Sequence, residues 1–211
     1  MQVQILIDNP NSWIIPYVED WVETNKKSFN DFVVLSNPQD VGKGDVLIML
    51  SCEKKFEQLQ LNKYNLVVHE SDLPKGRGMS PLTWQILEGK NEIVVSLLEA
   101  SSDIDAGLVY LKTKIKLKGT ELIEELRELQ VEATFTLLNE FLLNFPNNIG
   151  IEQLGSPSYY ARRRRIDSKL DVNKSIIDQF NLLRVVDNER YPAWFEYMNE
   201  TYEIKIIRKT K

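Results

Sequence analysis

The chain has 211 residues, of which 43% are hydrophobic and 27% charged, with a net charge of −5. This composition is typical of one globular domain with an appendage, and it disfavours disorder and the basic field of proteins that grip long nucleic acids. The longest apolar run is too short to cross a bilayer, and the start MQVQILID lacks the features of a signal peptide. A single cysteine and a single histidine disfavour a disulfide framework and a zinc site. We therefore expect a cytoplasmic protein with no metal and no nucleic-acid or membrane partner.

The first half of the chain alternates strand and helix patterns. Apolar runs predict strands at residues 3–8, 31–36, 45–50, 65–70 and 92–100. Residues 13–25 carry an apolar stripe at helical spacing, and residues 80–90 predict a second helix with Ser80 as N-cap and Pro81 in its first turn. The alternation predicts a three-layer α/β fold with a mostly parallel sheet.

The second half begins with residues 108–117, which alternate apolar and polar side chains as in an exposed strand. Residues 121–145 predict a long helix with Thr120 as N-cap, packed on the sheet or, as the alternative, in a dimer interface. Further elements are a short helix at 174–183 and a β-hairpin at 191–207 that turns at Asn199 and Glu200. We assign residues 1–145 to a core and 146–211 to a C-terminal loop and hairpin extension, and we expect a homodimer.

His69 is the only histidine and lies at the carboxyl end of a predicted strand, where ligands bind in open α/β sheets. Imidazole is suited to proton transfer near neutral pH. The following loop, residues 69–84, has the composition of a loop that closes over a ligand, although its G-x-G spacing is a weak phosphate motif. Asp105 follows the strand at 92–100, where its carboxylate would orient a histidine and raise its pKa. The plain alternatives are a hydrogen-bonded strand-end histidine, a surface crossover and a turn aspartate before Gly107.

The segment HESDLPKGRGMSPLTWQILEGKNEIVVSLLEASSDIDAGLVYLKTKI resembles the core of formyltetrahydrofolate-dependent formyltransferases. The residues that match the family pattern in order are His69, Ser71, Leu73, Pro74, Arg77, Gly78, Pro81, Gly89, Asp105 and Gly107. The resemblance covers residues 45–117 and implies a Rossmann-like formyltransferase core, with His69 and Asp105 as catalytic residues and N10-formyltetrahydrofolate as formyl donor. It also implies a set of cofactor-binding residues, namely Ser51, Cys52, Glu53, Leu66, Val67, Arg77, Gly78, Ser101, Ser102 and Asp103.

One position departs from the family pattern: Val67 stands where the family has an asparagine that helps to hold the formyl oxygen or the attacking amine. Valine has no hydrogen-bonding group, and the loss of one such donor costs about 10²–10³ in rate in other enzymes. Asn9 is a candidate substitute, and Asp72 replaces a family leucine. The alternative to an active enzyme is therefore a weak or inactive relative that binds folate or a nucleotide sugar.

Within the family, the phrases DNPNSWIIPY and FNLLRVVDNERYPAWFEY resemble the short sugar N-formyltransferases of the pseudaminic acid branch. Relatives that act on methionyl-tRNA carry a further C-terminal barrel, for which no room follows residue 145. The resemblance implies a nucleotide-linked 4-amino sugar, UDP-linked, as substrate, and the amine would attack the formyl carbon while His69 takes its proton or stabilises the oxyanion. The residues expected to bind this substrate are Asn9, Asn11, Trp13, Lys75, Tyr159, Tyr160, Arg162 and Arg163.

Physical arguments support a nucleotide-binding role for the arginines and the tyrosines, and simpler explanations of the same residues also exist. The run Arg162–Arg165 would bind a pyrophosphate, because guanidinium groups contact phosphate oxygens bidentately. Tyr159 and Tyr160 would stack on the uracil ring. The alternatives are a solvated basic loop, a nucleic-acid patch, and a core position for Trp13. The third hypothesis for the whole chain is a nucleotide-sugar enzyme that catalyses a different reaction and needs no formyl folate.

Overall fold

The structure is a computed structural model that describes residues 1–27, 29 and 31–209. Its strands are β1 (Gln2–Leu6), β2 (Asp31–Leu35), β3 (Gly44–Met49), β4 (Asn62–His69), β5 (Arg77–Gly78), β6 (Glu92–Glu99), β7 (Val109–Lys116), β8 (Tyr159–Tyr160), β9 (Ala193–Tyr197) and β10 (Glu200–Ile204). Its α-helices are α1 (Ile15–Asn25), α2 (Pro81–Leu87), α3 (Ile123–Leu143) and α4 (Phe180–Val185).

Six strands form the central sheet in the order β2-β1-β3-β4-β6-β7. The first four are parallel, whereas β6 runs antiparallel to β4 and β7 antiparallel to β6. The predicted α/β class with a mostly parallel sheet is confirmed. The alternation of strand and helix is only partial, because short 3-10 turns at Pro38–Asp40 and Leu59–Leu61 precede β3 and β4 where a full helix would complete the pattern.

One face of the sheet is covered by helices. Val18 of α1 and Phe141 of α3 are fully buried against Ile5 and Ile48 of the sheet. The long helix therefore packs on the sheet, as predicted. The opposite face carries an apolar cluster of Leu6, Leu47, Met49, Val41 and Phe56. The loops that hold Val41 and Phe56 cover this cluster, in place of the second helical layer that a three-layer fold predicts.

Ser80 occupies the N-cap position of α2 with Pro81 in the first turn, as predicted, whereas the predicted cap Thr120 of α3 is wrong. Ser80 precedes α2 but has a φ of 53° and makes no capping hydrogen bond with its side chain. Helix α3 begins at Ile123 rather than at residue 121, so Thr120 is not its cap. Instead, the Leu122 N–H donates to Glu125 Oε2 over 2.9 Å, which satisfies one free N–H at the helix start.

The last third of the chain partly follows its prediction. Helix α4 begins six residues later than residue 174, after two turns. The β9–β10 hairpin is present, but its turn is at Met198 and Asn199, both with positive φ, one residue before the predicted turn. The short strand β8 pairs in parallel with β5, which lies within the loop of residues 69–84. No described helix is long and apolar enough to span a bilayer.

Candidate active site

The His69 side chain is buried at the end of β4, with 5% of its surface exposed. Its Nε2 lies 2.8 Å from the carbonyl oxygen of Gly76. Because a carbonyl only accepts hydrogen bonds, Nε2 carries the ring hydrogen and the neutral imidazole has its lone pair on Nδ1. Nδ1 faces Asp105, whose Oδ2 is 3.6 Å away. His69 can therefore take up a proton at Nδ1, beside a carboxylate that would stabilise the resulting charge.

Two residues that each follow one of two parallel strands would meet at the same edge of the sheet. Asp105 comes close to His69 in a different way. Strand β6 is antiparallel, so its last residue, Glu99, pairs with Leu66 in the middle of β4. The loop of residues 100–108 then folds back to bring Asp105 to His69, with a φ of 51° at Asp105. A side chain at Gly107 would place its Cβ 1.9 Å from the Glu99 carbonyl oxygen, so this tight path requires glycine there.

Backbone groups, rather than His69, orient the Asp105 carboxylate. Its Oδ2 accepts a 2.8 Å hydrogen bond from the Gly78 N–H. At 3.6 Å the contact with His69 Nδ1 is an electrostatic one, too long for a hydrogen bond. The imidazole itself is held by Gly76 O. The structure thus places the two predicted catalytic side chains side by side, and each is fixed independently by the loop of residues 70–79, which we call the His69 loop.

The His69 loop is held in turn by residues 153–160, which we call the tail segment. Ser158 accepts the N–H of Gly76 at its Oγ and the N–H of Arg77 at its carbonyl oxygen, both over 2.9 Å. The Met79 N–H donates to the Tyr160 carbonyl oxygen over 3.1 Å. With the bond from Gly78 to Asp105, four consecutive N–H groups of the loop have partners. The positions of His69 and Asp105 therefore depend on a segment that lies far along the chain from both, since Ser158 follows Gly76 by 82 residues and Gln153 follows Asp105 by 48.

A cleft of about 670 Å³ opens beside His69 and Asp105. The predicted cofactor-binding residues that line it are Ser51, Cys52, Glu53, Val67, Gly78, Ser101, Ser102 and Asp103. Leu66 and Arg77 lie elsewhere: Leu66 is fully buried in the core, and Arg77 donates to Gln153 Oε1 over 2.7 Å. Burial raises the pKa of the Cys52 thiol to about 12, so this side chain stays a neutral thiol in the cleft wall.

The predicted substrate residues divide into two groups. Trp13 and Arg162 line the cleft, and both also line a second pocket of about 260 Å³ that adjoins it. Arg163 lines this second pocket, where its guanidinium donates to Ser168 Oγ over 3.0 Å while its buried Nε has no partner. Arginines that sequence reasoning did not select also line it, namely Arg127 and Arg190, together with Arg164 of the predicted run.

The other predicted substrate residues lie outside the lining of both pockets. Asn9 donates to Glu53 Oε1 over 2.9 Å, so it is not positioned to replace the asparagine missing at Val67. Lys75 and Tyr159 are exposed, and Asn11 is exposed beside Asn9. Tyr160 stacks against Trp84 with ring centroids 6.5 Å apart. The two tyrosines therefore do not flank the arginine pocket, which is contrary to the expectation of a uracil platform there.

Glu70 and Gln130 are among the cleft residues that sequence reasoning missed. Glu70 is buried, and its Oε1 accepts a 2.5 Å hydrogen bond from Nε2 of Gln130 in α3. Burial raises the pKa of the Glu70 carboxyl, and the opposing effects of His69 and Gln130 do not cancel this rise. The available signal was a charged residue directly after a strand-end histidine. Among residues 1–27, 29 and 31–209, no group of three or more His, Cys, Asp or Glu side chains could hold a metal ion.

Known proteins include sequence relatives of this chain. The chain is 31% identical over 152 residues to the bifunctional polymyxin resistance protein ArnA of Wigglesworthia glossinidia brevipalpis. The match covers 70% of this chain and 22% of that protein, so the chain spans less than a quarter of its relative. No family model matches the chain.

Solved structures give close matches in fold. The methionyl-tRNA formyltransferase of Clostridium thermocellum matches with a TM-score of 0.80 at 19% identity, over 100% of this chain and 94% of that one. A sugar N-formyltransferase from Shewanella sp. FDAARGOS_354 matches with a TM-score of 0.74 at 14% identity, over 100% and 99%. HypX of Aquifex aeolicus in complex with tetrahydrofolic acid matches with a TM-score of 0.78 at 17% identity, over 98% and 37%.

These matches bear on two sequence predictions. The methionyl-tRNA formyltransferase matches over nearly its whole length, so the length of this chain does not separate a tRNA acceptor from a sugar acceptor. The Rossmann-like formyltransferase fold is confirmed, since both a tRNA and a sugar formyltransferase superimpose on the entire chain. The chain has the fold of the formyltransferases and, as its motif from His69 to Gly107 predicted, resembles the formyltetrahydrofolate-dependent formyltransferase family, sugar N-formyltransferases included.

Proposed function

We propose that the protein transfers a formyl group from N10-formyltetrahydrofolate to the amine of a nucleotide-linked 4-amino-4,6-dideoxy sugar. One observation carries the proposal: His69 presents a free Nδ1 beside Asp105 in a cleft that adjoins an arginine-lined pocket. Proton transfer at an amine and recognition of a diphosphate are the two tasks that such a reaction requires.

The cleft suits a reduced folate. Met49, Val67 and Leu98 give it an apolar wall for a flat ring. Residues 51–53 and 100–103 line it where a pterin edge would meet backbone polar groups, apart from the N–H groups of Glu53 and Ala100, which bond to Asp8 and Asn65. When bound there, the formyl folate supplies the electrophilic carbon. The complex of HypX with tetrahydrofolic acid supports a folate site in this fold.

His69 and Asp105 divide the remaining chemistry. The Nε2–H bond to Gly76 O keeps the imidazole in one orientation, with Nδ1 toward the cleft. Nδ1 accepts a proton from the attacking amine, and the Asp105 carboxylate 3.6 Å away stabilises the imidazolium. The proton then passes to the leaving nitrogen. Val67 supplies an apolar contact and no hydrogen bond at the position of the family asparagine.

The second pocket supports the nucleotide part of the substrate. Arg162 and Trp13 belong to both pockets, so a substrate with its amine at His69 has a continuous path to the remaining arginines. Guanidinium groups bind phosphate oxygens in a fixed fork, which favours a diphosphate over a neutral sugar. A UDP-linked sugar of a pseudaminic acid type pathway is the specific substrate that we propose, on the resemblance of residues 8–17 and 180–197.

We also propose residues 1–145 as the catalytic core, residues 146–211 as an extension, a cytoplasmic setting and a homodimer. The structure buries the apolar face of α3 but leaves Tyr197, Met198 and Tyr202 of the hairpin exposed. The hairpin is therefore the dimer surface to examine, and light scattering of the purified chain distinguishes a dimer from a monomer.

The alternative is a weak or inactive relative that binds folate or a nucleotide sugar. The specific observation in its favour is Val67, because the cleft wall there offers no donor for the formyl oxygen. Tight binding of UDP-linked 4-amino sugars without turnover would identify this alternative.

The test of the proposed function is the variant His69→Asn assayed with N10-formyltetrahydrofolate and UDP- and dTDP-linked 4-amino sugars. We expect the rate to fall about 10²–10⁴-fold, because the variant lacks the proton acceptor at Nδ1. Asp72→Asn is the matched control, since Asp72 lies in the same loop but points to Lys112 at the surface. An unchanged rate in His69→Asn would refute the mechanism, and formylation of methionyl-tRNA instead of sugars would refute the acceptor.

A further inference from the structure

Glu70 is a buried carboxyl group that the mechanism above does not use. Only 9% of the residue is exposed, and it lines the same cleft as His69 and Asp105. Its hydrogen-bonded partner in α3 is the neutral amide of Gln130, not a cation. A carboxylate without a paired cation is costly to bury, so its position in a ligand cleft suggests a partner that arrives with the substrate.

The chemistry of formyl transfer has a place for such a group. A primary amine is mostly an ammonium ion near pH 7, because amino groups of this kind titrate at about 8 or above. The nitrogen must lose two protons on the way from ammonium to a neutral amide. His69 Nδ1 accounts for one of them, so an ammonium ion that binds in the cleft has a further proton to give up, either to solvent or to a second group in the cleft.

We propose that Glu70 binds the substrate amine as its ammonium ion and accepts the first of its two protons. An N–H bond of the ammonium breaks and an O–H bond forms on the Glu70 carboxyl, which leaves the neutral amine free to attack. The second proton goes to His69 Nδ1, and Glu70 returns its proton to water when the product leaves. This inference rests on the proposed function and assigns the residue that receives the amine.

The groups that face Glu70 fit this role. His69, the preceding residue, favours the ionised carboxylate once its imidazole is protonated. Gln130 of α3 donates a hydrogen bond to the carboxyl, and Asp105 from the loop after β6 favours its protonated form. Burial has the largest effect and raises the pKa of Glu70. A carboxylate with a raised pKa is a stronger base toward an ammonium ion than an exposed one.

The variant Glu70→Gln tests the proposal in the full chain, because it keeps the shape of the side chain and removes the base. The measurement is kcat/KM for the UDP-linked 4-amino sugar between pH 6 and pH 9.5. At pH 7 we expect a loss of about 10²-fold. The loss should shrink as the pH rises past the pKa of the amine, since the substrate then arrives neutral and the first proton no longer needs an acceptor.

Glu99→Gln is the matched control. Glu99 is also a carboxyl whose pKa is raised by burial, but its oxygens accept from the Asn65 N–H and the Tyr110 hydroxyl. Any loss of activity in this variant should be uniform across the pH range. Glu70→Asp, which keeps a carboxylate, should retain the pH dependence of the parent at a lower rate. If Glu70→Gln does not fold, the pH profile of Glu70→Asp tests the proposal in its place.

Three outcomes decide the matter. A Glu70→Gln deficit that disappears at high pH supports the proposal. A folded Glu70→Gln variant whose profile parallels that of the parent overturns it, while the proposed function stands. A parent chain that formylates no amino sugar overturns the proposed function and, with it, this inference.

Discussion

At the residue scale, the most deeply buried charge is the Arg184 guanidinium, which is 1% exposed. Its Nη2 lies 2.7 Å from Glu121 Oε2, and its Nε donates to the Glu121 carbonyl oxygen over 3.1 Å. Burial alone would raise the pKa of Glu121, but the N–H groups of Lys118 and Gly119 and the charge of Arg184 hold it below its usual value. The ionised Glu121 therefore stabilises the folded state at pH values above the pKa that it has in the unfolded chain. This stabilisation is lost as the pH falls through the lower pKa of Glu121 in the folded state.

We predict that Arg184→Ala lowers the free energy of unfolding by about 3–5 kcal/mol at pH 7, because it leaves the Glu121 carboxylate buried without its cation. The measurement is urea unfolding followed by circular dichroism. Arg208→Ala is the control: Arg208 pairs with Glu125 at the surface, and its loss should cost at most about 1 kcal/mol. Equal effects of the two variants would contradict the importance of the buried pair.

Which residues face the cleft was only partly predictable from sequence. His69 and Asp105 meet as expected, because a strand end and a loop rich in turn residues leave few other arrangements. Leu66 and Val67 were grouped together, yet successive side chains of a strand point to opposite faces. Leu66 therefore lies in the core and Val67 in the cleft wall. The role of Glu70 could not be anticipated, since it depends on Gln130, sixty residues away.

At the element scale, the 100–108 loop decides where Asp105 lies. Gly107→Ala would place a methyl group 1.9 Å from the Glu99 carbonyl oxygen. We predict that the loop shifts and that formylation falls about 10²-fold, since a displacement of about 1 Å in an active site has that effect. The assay is that used for His69→Asn. Gly42→Ala is the control, because its Cβ has 3.9 Å to the nearest atom. Parental activity in Gly107→Ala would show that the loop tolerates the change.

The elements themselves were largely readable from apolar periodicity. Strands β1 to β4 and β6, the hairpin and the long helix lie within a few residues of their predicted positions. The direction of β6 was not readable, because an apolar run has the same pattern in a parallel and an antiparallel neighbour. The cap of α3 was not readable either: the helix begins at Ile123, and Glu125 Oε2 rather than Thr120 accepts the Leu122 N–H.

At the scale of the whole molecule, the tail segment joins the two halves of the chain. Gln153 donates to the carbonyl oxygens of Asp105 and Gly107 and accepts from Arg77. Arg127 of α3 pairs with Asp187 over 2.6 Å. The sequence pattern of residues 158–171 has little periodicity, and the helix and hairpin predicted after it did not indicate these links. Residues 146–211 contribute directly to the geometry of the proposed core.

We predict that a chain ending at residue 145 loses formylation activity even where it retains secondary structure. Without the tail segment the His69 loop lacks the Ser158 and Tyr160 acceptors, so Gly76 O no longer fixes the imidazole. The measurements are circular dichroism and the formyl-transfer assay on the truncated chain, with the full chain as reference. A truncated chain that works at the parental rate would show that the core alone is sufficient.

The four bonded N–H groups at residues 76–79 have a kinetic consequence. An amide exchanges its hydrogen with solvent only when its bond opens, and amides that open together share one opening free energy. Gly76, Arg77 and Met79 are bonded to the tail segment and Gly78 to Asp105. Hydrogen–deuterium exchange at these positions should therefore rise and fall with that at Tyr160, so that mass spectrometry follows the opening of the active site as a single event.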